Sequence, residues 1–313
     1  MGTVCATVAL LTLGAVVTTF RVGMADPIWP TYPWHMLLIS YQEPRPGFII
    51  EHTHRLAGYI VGCCVIVLAI GLWRHHAHRW LGWLGVTALA AVIVQGLLGG
   101  FRVRLNALVG TDLALIHGLF AQLVFALLVS LALFTSRSWS ALVALPPGAR
   151  TNGVRRLSVV TALLIFVQLV FGAILRHTNS PSGPRGHILI ALVVVAAVAW
   201  LVKDVFDQRG GEKSLTVPVG WLAALVAVQV LLGVEALLIR FTTPGLPDLH
   251  SASFSEAIIR TAHFVLGSLI FATAVVVSLE ASSSPKRERG TAPSLVDASG
   301  SDTQLLGRLG GAA

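Results

Sequence analysis

Residues 112–135 read Asp112-Leu-Ala-Leu-Ile-His117-Gly-Leu-Phe-Ala-Gln-Leu-Val-Phe-Ala-Leu-Leu-Val-Ser-Leu-Ala-Leu-Phe-Thr135. A helix needs about 20 apolar residues to cross hydrocarbon, and this run supplies them around one histidine, which is costly inside a span and therefore points to function. Seven more apolar runs lie at roughly 3–20, 54–73, 80–100, 155–175, 187–202, 217–239 and 257–280. Helices are the only open-ended structure that satisfies its backbone in lipid. The fold class read from the chain is therefore an all-α integral membrane protein with eight transmembrane helices. Composition agrees. Of 313 residues 55% are hydrophobic and 12% charged, against about 25% charged in a soluble domain, and mean hydropathy is +0.79. A soluble enzyme, a disordered chain and a disulfide scaffold are excluded. Cys5, Cys63 and Cys64 all fall in apolar runs and read as packing residues, with no CxxC pair.

The net charge of +8 orients loops rather than gripping nucleic acid, for which there is no aromatic-interleaved basic patch or phosphate loop. Thirteen of the 22 Lys and Arg residues fall after the even-numbered runs or in the tail. The other nine hug the opposite helix ends. This bias predicts both termini in the cytoplasm and a multi-pass protein of the cell membrane. The first run lacks a basic leader and counts as a helix, and no Arg-rich transit sequence precedes it. Residues 22–50, with Pro27, Trp29, Pro30, Pro33 and Trp34, read as a stiff segment on the outer membrane surface. Residues 281–313, rich in Gly, Ser and Asp, read as a disordered cytoplasmic tail.

The chain also repeats itself. Gln95-Gly-Leu-Leu-Gly99 matches Gln229-Val-Leu-Leu-Gly233 at an offset of 134, and His54 matches His187 at 133. His117 and His263 occupy similar settings, and Gly14-Ala-Val pairs weakly with Gly172-Ala-Ile. Two pseudo-symmetric four-helix bundles follow, 1–145 and 146–280, related by an axis along the membrane normal.

His54, His117, His187 and His263 all fall near the starts of even-numbered helices, hence on the outer side. Each half supplies one from its second helix and one from its fourth, an arrangement able to hold haem iron on both axial positions. Gly58, Gly62, Gly118, Ala191 and Gly267 near them leave room for a flat macrocycle. Haem propionates also account for the outer arginines: Arg55, Arg102 and Arg104 in the first half, and Arg176, Arg185, Arg240 and Arg260 in the second. His75, His76 and His78 read as solvated. His35, His177 and His250 read as surface residues of outer loops.

The repeat breaks at one place that matters. Glu51-His52-Thr53-His54-Arg55 corresponds to Pro184-Arg185-Gly186-His187-Ile188, so Glu51 has no counterpart carboxylate. On a helix, Glu51 stands about 5 Å from His54 on one face. Withdrawn from water beside an anionic porphyrin, it suits proton transfer. The alternative is a helix-start glutamate favoured by the helix dipole.

These residues resemble the haem A synthase family. The resemblance rests on Glu51-x-x-His54-Arg55, the Gln95-Gly-x-x-Gly-Gly100-x-x-Val103-Arg104-x-Asn106 stretch, Ile116-His117-Gly118, Gly186-His187 and Ala262-His263-Phe264, and it covers roughly residues 3–280. It implies oxidation of the C8 methyl of haem O to the formyl of haem A, by two hydroxylations to a geminal diol that loses water. It also implies that His54 and His117 flank the substrate haem, that His187 and His263 ligate a haem b cofactor, and that Glu51 acts at the reacting methyl. Implied partners are membrane lipid, an enzyme supplying haem O and an electron acceptor. Ala25-Asp26-Pro27-Ile28-Trp29-Pro30-Thr31-Tyr32 stands where many bacterial members carry a cysteine pair, so this chain resembles a cysteine-lacking variant. Two other readings share the four histidines: a di-haem b-type cytochrome exchanging electrons with quinone, and a haem carrier. Neither gives Glu51 a necessary task.

Overall fold

Lipid leaves an apolar chain one way to satisfy its backbone, and the computed structural model shows it throughout: residues 1–26, 46–75, 78–144, 152–178, 180–207, 213–242 and 253–283, the described part of the chain, are helices joined by short turns. Eight helices are long and apolar enough to cross a membrane: α1 (Gly2–Thr19), α2 (Pro46–His75), α3 (Arg79–Arg104), α4 (Asp112–Phe134), α5 (Asn152–His177), α6 (Ser182–Asp207), α7 (Lys213–Thr242) and α8 (Phe254–Ser282). Two short helices, Asn106–Val109 and Arg137–Ala144, flank α4.

Within the spans, side-chain hydroxyls donate to carbonyls one turn back: Thr7 to Thr3, Thr12 to Val8, Ser130 to Ala126 and Thr273 to Leu269, at 2.7–2.9 Å. A hydroxyl satisfied this way needs no water. The start of α8 is fixed by a capping box, in which the Ser253 hydroxyl accepts from the Glu256 N–H and the Glu256 carboxylate accepts from the Ser253 N–H.

Helices adjacent in sequence pack side by side, and each half closes on itself. α1 meets both α2 and α4, and α5 meets both α6 and α8. One apolar core gathers Val61, Val65, Leu81, Leu128 and Leu131 from α2–α4. A second gathers Val198, Leu201, Val219, Leu222 and Val277 from α6–α8. A small seam of Leu11, Phe125 and Ala272 joins them, where α8 lies against α1 and α4. The outer surface carries exposed Val67, Trp200, Trp221 and Leu231, as a lipid-facing wall requires.

Some expectations need correction. Cys5 and Cys63 are exposed and Cys64 half-buried, all free: a small apolar residue in a span can face lipid as readily as a neighbouring helix. The second helix starts at Pro46, eight residues ahead of the apolar run, so Glu51 and His54 share one helix face. His177 ends α5 rather than sitting in a loop. It is half-buried, and its carbonyl accepts from the Thr111 hydroxyl. Of the expected outer-surface segment, 22–50, residues 27–45 lie outside the described residues and 46–50 belong to α2; the expected tail, 281–313, lies outside them from residue 284 on.

Candidate functional site

Each of the four span histidines lies against a glycine of the preceding odd-numbered helix. A Cβ built on Gly14 would stand 2.9 Å from Cε1 of His54. The corresponding distances are 3.2 Å for Gly99 and His117, 3.2 Å for Gly172 and His187, and 3.3 Å for Gly233 and His263. The imidazoles therefore occupy the volume that a larger residue would fill. Real Cβ contacts this close are rare, so glycine is what lets each ring nest against its neighbour.

The histidines are paired as the repeat implies. The ring centres of His187 and His263 are 6.1 Å apart. A metal held between two imidazoles at about 2.0–2.1 Å per nitrogen sets ring centres roughly 6 Å apart, so this spacing suits an iron between them. His54 and His117 lie within electrostatic reach of each other. Nδ1 of His54 and Nδ1 of His263 are buried with no hydrogen-bond partner among the described residues. Gly58 and Gly62, one and two turns beyond His54, face open space. No cluster of three or more His, Cys, Asp or Glu able to hold a bare metal ion occurs among the described residues. Imidazoles facing each other at this spacing fit a metal whose remaining ligands come with it, as a porphyrin's do.

The first half adds a buried polar cluster. Glu51 is 3% exposed, and Asp26 and His52 are fully buried. The Asp26 N–H donates to Glu51 Oε2 at 2.8 Å. Arg55, one turn on, donates from Nη2 to Glu51 Oε1 at 2.7 Å and to the Asp26 carbonyl at 2.7 Å. Arg55 Nη1 stands 3.3 Å from Asp26 Oδ2, and His52 Nδ1 is 3.0 Å from the same oxygen. A buried carboxylate must be paired to be tolerated, and here two carboxylates share one guanidinium. Glu51 is thereby fixed in direction. At the matching place in the second half, Pro184 and Ile188 supply neither acid nor base.

The outer arginines divide into two groups. Arg55 is engaged by Glu51 and Asp26, where the sequence reading gives it to a propionate, because a buried acid one helical turn away is the nearer demand. Arg102 donates to the Gly23 carbonyl at 3.2 Å. Arg176 ties the halves together: it donates to the Ala15 carbonyl at 2.7 Å and the Thr19 hydroxyl at 3.0 Å, and its guanidinium carbon lies 5.0 Å from the centre of the Phe264 ring. Arg260 pairs with Glu256 at 2.6 Å. Arg104 and Arg185 are exposed. The Arg240 side chain, together with His35, His76 and His250, lies outside the described residues.

Residues the sequence reading passed over join the site. Asp26 meets Glu51, His52 and Arg55 across 25–29 residues of chain, with no short-range signature. Gln95, Gln168 and Gln229 also reach the histidines: their Nε2 atoms stand 3.2 Å from His117 Nδ1, 3.1 Å from His187 Nδ1 and 3.3 Å from His263 Nε2. A signal was present here, since each glutamine precedes its glycine by four residues. The glycines expected to face a macrocycle behave unequally: Gly118 lies near His177 and Gly267 against Gln229 and Leu169, while Gly58 and Gly62 are open.

Comparison with known proteins gives a consistent picture. A profile of the COX15-CtaA family, described as cytochrome oxidase assembly protein, matches residues 1–181. A protein named Heme A synthase from Shouchella clausii (strain KSM-K16) is 31% identical over 211 residues, 66% of this chain and 65% of that protein. One so named from Lysinibacillus sphaericus (strain C3-41) is 27% identical over 274 residues, 76% of this chain and 84% of that protein. Another, from Geobacillus kaustophilus (strain HTA426), is 26% identical over 220 residues, 62% and 67% of the two chains. The match thus spans a little under two thirds of the first of these relatives.

Proposed function

The chain belongs to the COX15-CtaA family, the haem A synthases among its relatives included, and from that premise we propose that it is a multi-pass membrane oxidoreductase that converts haem O to haem A. The observation that carries this reading is the asymmetry between two similar histidine pairs. The pair His54–His117 has beside it a buried glutamate clamped by Arg55 and the Asp26 N–H, and the pair His187–His263 has none.

The residues divide the work accordingly. His54 and His117 hold the substrate haem in the N-terminal half, residues 1–145. His187 and His263 hold a haem b in the C-terminal half, residues 146–280, where that group supplies one-electron transfer. Glu51 accepts a proton at the methyl being oxidised, or steadies positive charge developing there. Its direction is set by Arg55 and Asp26. A carboxylate held in place before the reaction loses nothing to reorientation during it. Arg104 and Arg185, exposed and outside the contacts that hold Arg102 and Arg176, meet propionates at the outer surface, with Arg55, Arg102, Arg176, Arg240 and Arg260 as further candidates. The termini lie in the cytoplasm and the membrane is the cell membrane. Partners are an enzyme that delivers haem O and an acceptor for the electrons removed.

Co-expression with a haem O supply, followed by haem extraction and mass analysis, tests the reading. The unsubstituted chain yields haem A. Glu51→Ala keeps its haems and yields none. Two b haems with haem O unchanged would instead make the protein an electron-transfer cytochrome.

A further inference from the structure

The four histidine seats are built alike on their glycine side and differ four residues earlier. Gln95, Gln168 and Gln229 stand one helical turn before Gly99, Gly172 and Gly233. That spacing brings each amide onto the same face as its glycine, toward the Cε1 edge of the ring. Nε2 of Gln95 lies 3.2 and 3.4 Å from the two ring nitrogens of His117, and it donates to the His117 carbonyl at 3.0 Å. Nε2 of Gln168 lies 3.1 and 3.4 Å from those of His187. Nε2 of Gln229 lies 3.3 Å from His263 Nε2 and donates to the His263 carbonyl at 3.0 Å. In two seats the same amide thus holds both the ring and the main chain of one histidine.

The fourth seat lacks this. One turn before Gly14 stands Leu10, partly buried in the first-half core; it offers the ring its backbone carbonyl, as Gln95 and Gln168 offer theirs, but no side-chain amide. Nδ1 of His54 has no side-chain partner among the described residues; the same is true of Nδ1 of His263, whose other ring nitrogen nonetheless has an amide beside it.

The glutamines also have one atom left over. Oε1 of Gln95, of Gln168 and of Gln229 is buried without a partner among the described residues. A buried carbonyl oxygen left so is costly, and three at equivalent places call for one reason. An imidazole bound to metal through one nitrogen carries its hydrogen on the other and donates it to an acceptor, which fixes both tautomer and ring direction. The side-chain amide turned end for end presents Oε1 as that acceptor, giving up its N–H bond to the main-chain carbonyl of His117 and of His263.

Resting on the functional reading above, we propose that Gln95, Gln168 and Gln229 are positioning residues that retain three of the four haem-facing histidines, and that Leu10 leaves His54 as the releasable one, through which the N-terminal half exchanges its haem. The division matches what each half must do. A cofactor haem stays, held between two clamped imidazoles. A substrate haem must enter and its product leave, and the one imidazole that lacks the amide provides the weak point.

The test uses the purified full-length chain loaded with ferric protohaem and mixed with excess apomyoglobin, with haem loss followed by absorbance. The unsubstituted chain releases haem in two phases, the faster one absent in His54→Ala. Leu10→Gln slows the fast phase by about tenfold, the low end of what an outer hydrogen bond to a ligand contributes, and leaves the slow phase alone. Gln168→Leu and Gln229→Leu speed the slow phase by a similar factor and raise the reduction potential of the haem concerned, because its ligand loses an acceptor. A change in packing alone would not move that potential. Leu10→Gln adds a contact instead of removing one, so it decides the matter even if a leucine variant fails to fold. Equal release rates from the two halves, a fast phase unmoved by Leu10→Gln, or glutamine variants with unchanged rate and potential would overturn the inference. A chain that loads no haem in its N-terminal half at all would overturn the functional reading beneath it.

Discussion

The N-terminal and C-terminal halves seat their histidines alike and differ in what surrounds them. Both seat a histidine from their second helix and one from their fourth against glycines of the helices before them. The N-terminal half then adds Glu51, Asp26, His52 and Arg55, where the C-terminal half has Pro184 and Ile188. It also has Leu10 where its counterpart has Gln168. On the function proposed above, holding a haem takes the shared parts, while acting on one takes an added acid and a looser ligand.

The comparison breaks first at Glu51. Glu51→Gln should lower the rate of haem O oxidation by about 10²–10⁴-fold, the span of general acid–base contributions, with the haem-to-protein ratio unchanged in a pyridine haemochrome assay. A variant that still turns over at the unsubstituted rate would remove the distinction between the halves.

Asp26→Ala should come next. It removes a carboxylate from a cluster that holds the half-buried Arg55 and the buried His52, and breaking such a pair costs about 3–5 kcal/mol. Thermal unfolding in detergent should show the loss, and turnover should fall with it because Arg55, which also holds Glu51, loses a partner.

Gly172→Val and Gly14→Val sharpen the comparison by taking one seat from each half. Cβ at Gly172 would press on His187, and Cβ at Gly14 on His54. Each variant should lose one haem and keep the other, as read by haem content, and both should lose turnover, Gly14→Val for want of bound substrate and Gly172→Val for want of the haem b. Loss of both haems from either variant would mean that the halves do not bind independently.

The smallest effect expected is that of Pro184→Glu. It restores the missing carboxylate but not its supports, since Ile188 stands where Arg55 would be. Turnover per chain should be unchanged, and a second active half would show that the glutamate alone suffices.

Much of this was legible in the sequence, for physical reasons. Spans could be read because lipid forces each to be apolar over its whole length. The histidine pairs could be read because a duplicated chain shows which residues both copies kept. The start of α2 could not, because its first two turns contain Glu51 and His52, and a hydropathy run ends where a polar but still helical stretch begins. Asp26 was out of reach for another reason. It meets Glu51 across 25 residues, and no local pattern encodes such a contact. Gln168 lay in the weakest part of the repeat, and its spacing to Gly172 gained meaning only when the same spacing was found at Gln95 and Gln229. The cysteines were misjudged because an apolar residue in a span has two apolar surroundings open to it.

The most direct test is to incubate the purified, haem b-loaded chain with haem O, then extract and weigh every haem it holds. One unmodified haem b beside one haem bearing a formyl group, in equal amounts per chain, is the result that two unlike halves require. Formyl on both, or on neither, contradicts it.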